Sequence, residues 1–203
     1  MNDRPSAVDD TASVAEDGTV TIDVARNDSD PDGDLDPTTV AIVSPPSNGT
    51  VTVDPTTGEV TYIPAPNFNG RETFRYEICD SAGVCDTATV TIDVIPADDR
   101  PVANADTAST PEDTATVVNV AGNDFDVDGN LDPTTVAIVS PPSNGTSTVD
   151  PTTGEVTYEP DEDFFGLDTF RYEICDPDGL CDEATVTMNV GPIDAPPVAA
   201  DDA

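Results

Sequence analysis

Apolar and polar residues alternate along this chain in short runs that are bounded by turn-forming residues. Residues 20–24, 74–78 and 90–94 each carry an apolar side chain at every second position. This alternation is typical of half-buried β-strands. Clusters rich in proline, asparagine and glycine, such as 45–49 and 55–58, mark turns between the runs. Because no segment has a helical period, we predict an all-β fold of seven short strands that form a β-sandwich.

The chain repeats itself at an offset of 96 residues without gaps. Residues 35–50, for example, read identically to 131–146. Self-similarity at a fixed period is the signature of tandem arrays. We therefore predict repeat 1 over 4–99, repeat 2 over 100–195 and the start of a third repeat over 196–203. We expect the repeats to lie end to end and to be cut from a longer array.

An acidic loop separates the second and third predicted strands of each repeat. Residues 28–36 hold five carboxylates at alternate positions, with Gly33 between them to permit a sharp turn. Such carboxylates repel one another, whereas Ca²⁺ binds about six to eight oxygen ligands. The Asp-x-Asp-x-Asp-Gly spacing matches the first half of an EF-hand, but the later glutamate and the flanking helices are missing. We interpret it as a calcium loop between strands. Its predicted ligands are Asp28, Asp30, Asp32 and Asp36, with Asp124, Asp126, Asp128 and Asp132 in repeat 2.

The composition excludes several classes of partner and chemistry. The chain has 42 acidic residues against 6 basic ones, a formal net charge of −36. It therefore has no basic surface for nucleic acid or for an anionic membrane. The chain has no histidine, which removes Ser-His-Asp and Cys-His catalysis and imidazole zinc sites. No stretch approaches the ~20 apolar residues of a membrane helix, so we predict no membrane insertion.

Acids outside the loop have a plainer interpretation. Glu72, Asp93 and the run 161–163 are typical of a solvated face that keeps a protein soluble. Asp80 and Asp176 lie in hairpin turns, at the end of the sandwich where the acidic loop is expected. At those positions a role in turn formation is as good an interpretation as metal binding.

The cysteines come in two pairs with the same spacing. If the alternating residues 74–78 point inward, Cys79 points outward, and the next strand places Cys85 outward and opposite. Facing residues of a hairpin come within disulfide reach. We predict the disulfides Cys79–Cys85 and Cys175–Cys181, which favour an oxidising, extracellular compartment. A redox or zinc role is the rival interpretation, but each repeat offers only two sulfurs and no histidine.

Five further motifs recur or stand out. They are Pro-Val-Ala-x-x-Asp (101–106), Glu-Asp (16–17, 112–113), Asn-Asp-x-Asp-x-Asp-Gly (27–33, 123–129), Gly-x-Val-Thr-Tyr (58–62, 154–158) and Ala-Thr-Val-Thr (88–91, 184–187). Together they resemble the tandem cadherin-like or immunoglobulin-like repeats of very large bacterial surface proteins, including adhesins. The resemblance covers the whole chain and implies a shared scaffold, not one shared activity.

The resemblance to cadherins also implies calcium ions at the joint between repeats. There, ligands come from the base of one domain, from the linker and from the top of the next. The ligands implied in this way are Asp10, Glu16, Asp17, Asp98, Asp99, Asp106, Glu112 and Asp113. Since only repeat 2 follows another repeat here, we expect its site to be fuller and tighter. Against this, Ala105 replaces the acid at Asp9, and Asn130 replaces Asp34, which lowers the charge in repeat 2.

Three functions follow from these features. We favour non-catalytic extender repeats, rigidified by calcium, of a large extracellular adhesin or fibre at the cell surface. Their partners would be the neighbouring repeats. The alternative is a binding module for glycan or for another copy of itself, including a subunit of an extracellular filament. Paired carboxylates can hydrolyse glycosides, but these acids cluster in turns without a predicted cleft, so we predict no enzyme.

Overall fold

A computed structural model describes residues 2–193 of the chain. The chain divides into two compact units, unit 1 (Met1–Ala97) and unit 2 (Asp98–Ala203). Within residues 2–193, each unit contains seven strands, in one four-stranded and one three-stranded sheet. The predicted all-β class, with two tandem seven-stranded sandwiches, is therefore confirmed. The predicted start of a third repeat, 196–203, lies outside the described residues.

The seven described strands of unit 1 form a sandwich of two sheets. In chain order they are β1 (Asp10–Ala15), β2 (Val20–Ile22), β3 (Leu35–Ser44), β4 (Gly49–Val53), β5 (Val60–Pro64), β6 (Gly70–Asp80) and β7 (Cys85–Ile95). One sheet has the order β1-β7-β6-β3 and the other β2-β5-β4. β1 runs parallel to β7, and the other neighbouring strands are antiparallel.

Unit 2 repeats this topology. Its strands are β8 (Asp106–Pro111), β9 (Thr116–Val118), β10 (Asp132–Ser140), β11 (Gly145–Val149), β12 (Val156–Pro160), β13 (Gly166–Cys175) and β14 (Cys181–Gly191). The sheets have the orders β10-β13-β14-β8 and β11-β12-β9. A 3-10 helix, Val120–Asn123, leads into the acidic loop of this unit.

The core of unit 1 follows the predicted alternation. Phe74, Tyr76 and Ile78 of β6 point between the sheets and are at most 2% exposed. They pack in one buried cluster with Tyr62 of β5 and Ile92 of β7. Burying a side chain of this size stabilises the fold by about 1.5–3 kcal/mol. The alternation of apolar and polar residues in the sequence therefore matches the alternation of buried and more exposed side chains along β6.

A buried tyrosine ties the start of the acidic loop to the core of each unit. The Tyr76 hydroxyl lies 2.9 Å from Asp28 Oδ2. Asp28 Oδ1 accepts a second hydrogen bond, of 2.7 Å, from the Val8 N–H. Tyr172 and Asp124 repeat the contact in unit 2 at 2.8 Å. Because these tyrosines are fully buried, the first acid of each loop is held against the sandwich.

The predicted disulfides are confirmed. Cys79 and Cys85 face each other in the register of β6 and β7, with their Cα atoms 4.0 Å apart, and are bonded. Cys175 and Cys181 form the same bond between β13 and β14. Both pairs lie on the face of the sheet that points away from the core, as the alternation predicts.

The interpretation of Glu72 as a solvated acid is wrong. Its side chain is buried, at 7% exposure, and it accepts hydrogen bonds from the N–H groups of Asn48 (2.6 Å), Thr73 (2.8 Å) and Ser47 (3.1 Å). Ser47 and Asn48 lie in the turn between β3 and β4, and the carboxylate accepts the hydrogen bonds of their N–H groups. Asp168 does the same in unit 2. Burial by itself would raise the pKa of Glu72, but the hydrogen bonds outweigh it and hold the pKa below its usual value.

We expect Glu72→Gln to lower the free energy of unfolding at pH 7 by about 1–3 kcal/mol, because hydrogen bonds to a charged acceptor are weakened. Folding lowers the pKa of Glu72, so its stabilisation is present above the unfolded pKa and is lost as pH falls through the folded pKa. The difference in free energy of unfolding between the wild type and the variant should therefore shrink as the pH falls. Urea unfolding from pH 7 to 3 measures this difference. Glu77→Gln, on the same strand but the partly exposed face, is the matched control. Equal pH profiles for the wild type and Glu72→Gln would contradict the assignment.

We expect the double substitution Cys79→Ser/Cys85→Ser to leave unit 1 folded but less stable by about 2 kcal/mol, because the bond closes only a short loop. The equivalent pair in unit 2, Cys175→Ser/Cys181→Ser, should show a similar loss. Urea unfolding followed by circular dichroism measures both. Collapse of the far-ultraviolet spectrum in either variant would show that the bond decides the fold and does not merely brace it.

Candidate metal centre

The acidic loop of unit 1 folds against the turn between β6 and β7. Leu35, at the start of β3, pairs with Asp80 at the end of β6. The Ser81 N–H donates to the Asp34 carbonyl oxygen at 3.0 Å. Gly33 turns the loop with a φ of 77°, in the left-handed region that favours glycine. Loop and turn thus meet at one end of the sandwich.

Three acids converge where the loop meets the turn. Asp30, Asp34 and Asp80 each place one carboxylate oxygen within 4.8 Å of the others. Two oxygens that bind Ca²⁺ from opposite sides, each at ~2.4 Å, are ~4.8 Å apart. The three side chains are therefore close enough together to be candidate ligands of one calcium ion.

Each of these acids uses one oxygen to build the local structure. Asp30 Oδ1 accepts a 2.7 Å hydrogen bond from the Asp32 N–H, which closes the loop. Asp80 Oδ1 accepts one of 2.8 Å from the Val84 N–H, which closes the hairpin turn. Asp34 Oδ2 accepts one of 2.6 Å from the serine hydroxyl of that turn. Because these hydrogen bonds fix one oxygen of each acid, they also fix the orientation of the carboxylate and so the position of its second oxygen.

The second oxygens make the cluster unfavourable on its own. Asp30 Oδ2 and Asp34 Oδ1 are buried, and no donor in the described part of the chain reaches them. Asp80, 2% exposed, has its second oxygen 2.8 Å from the Asn2 side-chain amide. None of the three ion pairs between residues 2 and 193 includes an acid of this cluster. Unit charges ~5 Å apart repel by about 1 kcal/mol in water and about 3 kcal/mol at an effective dielectric constant of ~20. This donor set fits a hard cation.

The corresponding residues of unit 2, one of which is an amide, also hold buried oxygens. Asp126 Oδ2, Asn130 Oδ1 and Asp176 Oδ2 are buried acceptors that no donor among residues 2–193 reaches. Asp176 is 2% exposed, and its Oδ1 accepts a 2.7 Å hydrogen bond from the Gly179 N–H. As in Asp80, Oδ1 is the oxygen that accepts the hydrogen bond from the hairpin turn.

Asp32 and Asp128 hold the segment that leads into each unit. Asp32 Oδ2 accepts a 2.6 Å hydrogen bond from the Asp3 N–H, and Asp128 Oδ2 accepts one of 2.8 Å from the Asp99 N–H. These predicted ligands therefore lie beside the clusters, with one oxygen engaged by the backbone.

Four other predicted ligands have their carboxylates engaged in different contacts. Asp28 and Asp124 contact the buried tyrosines, as described above. Asp36 and Asp132 each accept a hydrogen bond of 2.6 Å from the threonine hydroxyl two residues later. That hydroxyl, together with the threonine N–H, lowers the pKa of Asp132.

Asp10 and Asp106 lie beside the tyrosine contacts. Burial and the nearby charge of Asp28 raise the pKa of Asp10 to about 6, although a hydrogen bond from Tyr76 opposes the shift. Burial and the charge of Asp124 likewise raise the pKa of Asp106 to about 6. The structure thus groups these two predicted ligands with the first acid of each loop.

The Glu-Asp motifs lie at the opposite end of each sandwich, where β1 and β7, or β8 and β14, finish. Glu16 and Glu112 each accept a 2.6 Å hydrogen bond from the backbone of the segment that leaves their own repeat. Asp17 and Asp113 occupy left-handed turn positions, both with a φ of 58°.

Four residues at these positions are not among the ligands predicted from the sequence. They are Asp34, Asp80, Asn130 and Asp176. A usable signal was present, because Asp80 and Asp176 each follow a cysteine at the end expected for the loop. What the spacing could not supply is which oxygen of each acid remains after the turns have formed.

Comparison with known proteins agrees with this fold. The sequence profile described as bacterial Ig domain matches residues 2–93 and 98–189. No curated protein sequence matches the chain. Between residues 2 and 193, no helix has the length and apolar character needed to cross a membrane.

The fold is similar to those of solved cadherin ectodomains. The human desmocollin-1 ectodomain is 14% identical, with a TM-score of 0.53 over 93% of this chain and 41% of that one. Mouse cadherin-23 EC22–24 is 17% identical, with a TM-score of 0.52 over 95% of this chain and 65% of that one. The chain thus spans less than two thirds of either. The cadherin-like and immunoglobulin-like resemblance of the sequence is confirmed, and the chain belongs to the bacterial Ig domain family, with two tandem copies of the domain.

Proposed function

We propose that the chain is a pair of calcium-binding spacer repeats from an extracellular bacterial surface protein. The observation that carries this proposal is the convergence of Asp30, Asp34 and Asp80. Its donors are all carboxylate oxygens, which suit calcium, whereas zinc sites in proteins usually include nitrogen or sulfur. The cysteines nearby are bonded to each other and are not thiolates.

A cation at this position would link three separate parts of the unit. Asp30 and Asp34 belong to the acidic loop, and Asp80 belongs to the β6–β7 turn. The segment leading into the unit is joined to both, through the Asn2 amide on Asp80 and the Asp3 N–H on Asp32. Neutralising the repulsion among the acids favours the folded state alone, so binding stabilises the unit by mass action.

The path of the chain through each unit suits a spacer. The leading segment contacts the acidic loop at one end of the sandwich. The leaving segment contacts Glu16 at the other end, where β7 finishes. β7 is 11 residues long, so it spans ~36 Å at ~3.3 Å per residue. Because the chain enters a unit at one end and leaves it at the other, each unit adds about its own length to the path of the chain.

The compartment and the lack of catalysis are part of the proposal. Two exposed-face disulfides suit an oxidising, extracellular site. The clustered carboxylates build turns and would be occupied by the cation, so we assign them no catalytic role. The prediction that Glu16, Asp17 and their counterparts in repeat 2 bind further calcium stays a prediction.

We expect Ca²⁺ to raise the melting temperature of the two-unit protein by about 10 °C or more relative to chelator. Ligand at ~100 times its Kd adds about 2.7 kcal/mol per site, and 1 kcal/mol is worth about 4–8 °C in a domain of this size. Calorimetry in Ca²⁺, Mg²⁺ and chelator measures the shift. Identical melting curves with Ca²⁺ and with chelator would overturn the proposal. Small-angle scattering in the same buffers tests rigidification, which identical profiles would contradict.

The variant Asp80→Asn/Asp176→Asn tests whether calcium stabilises the protein through this site or through the general negative charge of the chain. Asparagine keeps Oδ1, so the hairpin turns can still form, but one charge leaves each cluster. Most of the calcium-dependent rise in melting temperature should disappear. Glu162→Gln, in the exposed acidic run, is the control and should retain the full rise.

We expect Asp34→Asn to act in opposite directions with and without calcium. In chelator it removes one of three mutually repelling charges, so unit 1 should gain on the order of 1 kcal/mol of unfolding free energy. In calcium the same change removes a ligand charge and should lower stability. Urea unfolding in the two buffers measures both signs. A loss of stability in chelator would show that the Asp34 carboxylate is stabilising without a cation.

A further inference from the structure

The longest uncharged stretches of the chain lie at the same place in both repeats. Residues 37–53 contain no charged side chain, although Asp36 and Asp54 flank them directly. Residues 133–149 repeat this pattern in unit 2. Acids make up 42 of the 203 residues of the chain, so an uncharged stretch of this length is unusual here.

The uncharged stretches form one side of each sandwich. In unit 1 the stretch supplies most of β3 and all of β4, which are edge strands of the two sheets. The edge strands of the opposite side are β1, which begins with Asp10, and β2, which is followed by Asp23. In unit 2, β10 and β11 are the corresponding uncharged edges. Each sandwich therefore has one side edge without acids.

Of the two uncharged edges in unit 1, β4 is the one that is open to another strand. Irregularities interrupt the pairing of β3 with β6, and irregularities of this kind protect an edge from further pairing. β4 pairs with β5 in an unbroken register from Gly49 to Val53, and with no other strand among residues 2–193. Proteins usually protect such an edge with charge or proline, and β4 contains neither.

The hydrogen bonds at the two ends of β4 show which of its backbone groups are free. Asn48 and Asp54 flank β4, and their backbone groups bond to the residues that flank β5, at 3.2 and 2.8 Å. In an antiparallel pair, the bonded residues come at every second position. The N–H and carbonyl groups of Gly49, Val51 and Val53 therefore point away from β5, toward the free edge.

A second copy of this chain fits such an edge. In a two-fold antiparallel pair centred on Val51, Thr50 of one copy lies opposite Thr52 of the other. Both threonines are exposed. Facing β-branched residues stabilise a sheet, whereas like charges directly opposite each other destabilise it. An edge that pairs with itself must therefore lack acids, whereas an acidic edge would suit a basic partner.

The net charge of −36 does not prevent this contact. At ~0.15 M salt, repulsion between exposed charges is largely screened beyond ~8 Å. Association then depends on the charges next to the contact, and β4 has none. Asp54 is the nearest acid after β4, and in the two-fold pair it lies opposite Asn48 of the second copy.

We propose that β4 is a self-association surface, which pairs antiparallel with β4 of a second copy and extends the three-stranded sheet across both molecules. About six backbone hydrogen bonds join two strands of this length, so the contact is small and a single edge binds weakly. β11 is uncharged and pairs only with β12 among residues 2–193, and it provides the same surface in unit 2. The surface lies outside the acidic clusters, and the proposal is independent of the calcium function.

The test measures self-association of the two-unit protein by sedimentation in a buffer with Ca²⁺. The wild type should approach the dimer as its concentration rises toward ~1 mM. Thr52→Glu/Thr148→Glu puts an acid on β4 and on β11 and should weaken association at least ~10-fold. The matched control, Thr11→Glu/Thr107→Glu, adds the same charge at exposed positions of the edge strands β1 and β8. It should weaken association less than ~3-fold. Circular dichroism checks that each variant is folded.

A charge exchange tests whether the two copies meet at the same strand. Thr52→Lys/Thr148→Lys alone should also associate weakly, because like charges approach each other across the pair. An equal mixture of the lysine and glutamate variants should restore association to within ~3-fold of the wild type, since the approaching charges are then opposite.

Hydrogen exchange followed by NMR locates the contact in the wild type. The amides of Val51 and Val53 point to the free edge, so their exchange should slow as the protein concentration rises. The amides of Thr50 and Thr52 already bond to β5 and serve as internal controls, whose exchange should not change with concentration.

Each result supports or overturns the proposal. A wild type that stays monomeric up to ~1 mM overturns it. Association that Thr52→Glu/Thr148→Glu leaves unchanged also overturns it, because another surface would then be responsible. Association without slower exchange at Val51 and Val53 excludes the strand pairing. Weakening by glutamate, restoration in the mixture and slower exchange at these two amides together support it.

Discussion

The arrangement of this protein depends on the different contacts that the two oxygens of a single carboxylate make. In Asp30 and Asp80, one oxygen accepts the backbone N–H that closes a turn. Both acids also belong to the group whose carboxylate oxygens lie within 4.8 Å of one another. The turn cannot form in this way without aiming the second oxygen. Rotating the side chain to escape repulsion would leave the turn N–H without its partner, which costs about 1–3 kcal/mol where the group is buried. The acids that close the turns are therefore the same residues that form the cluster.

The rest of each unit supplies the stability that the acids oppose. A core of buried tyrosine, phenylalanine and β-branched residues lies directly beneath the loop, and the Tyr76 hydroxyl holds Asp28 against it. The disulfide Cys79–Cys85 encloses the turn that carries Asp80, so the hairpin keeps its form when the acids repel. A scaffold braced in this way can present a preorganised set of oxygens, which reduces the ordering that binding would otherwise require.

The sequence predicted the fold well because strand formation and core packing depend on local alternation. The face of β6 that holds Tyr76 and the outward face that holds Cys79 both follow from a period of two. The site was predicted only in outline. Asp30, one of the predicted ligands, belongs to the cluster, but the role of a carboxylate depends on which N–H groups the fold leaves unpaired around it. Glu72 is buried for that reason, and Asp80 completes a cluster with residues about 50 positions away in the chain.

The two repeats of one chain act as a natural comparison in which the fold is constant and single side chains vary. Where a carboxylate only has to meet N–H groups, its length is free to change, as with Glu72 in unit 1 and Asp168 in unit 2. Around the cluster the change takes a different form, since the loss of an acid at Asn130 accompanies a gain at Asp98. Turn formation alone would not require such a pairing, because asparagine and aspartate serve turns almost equally well.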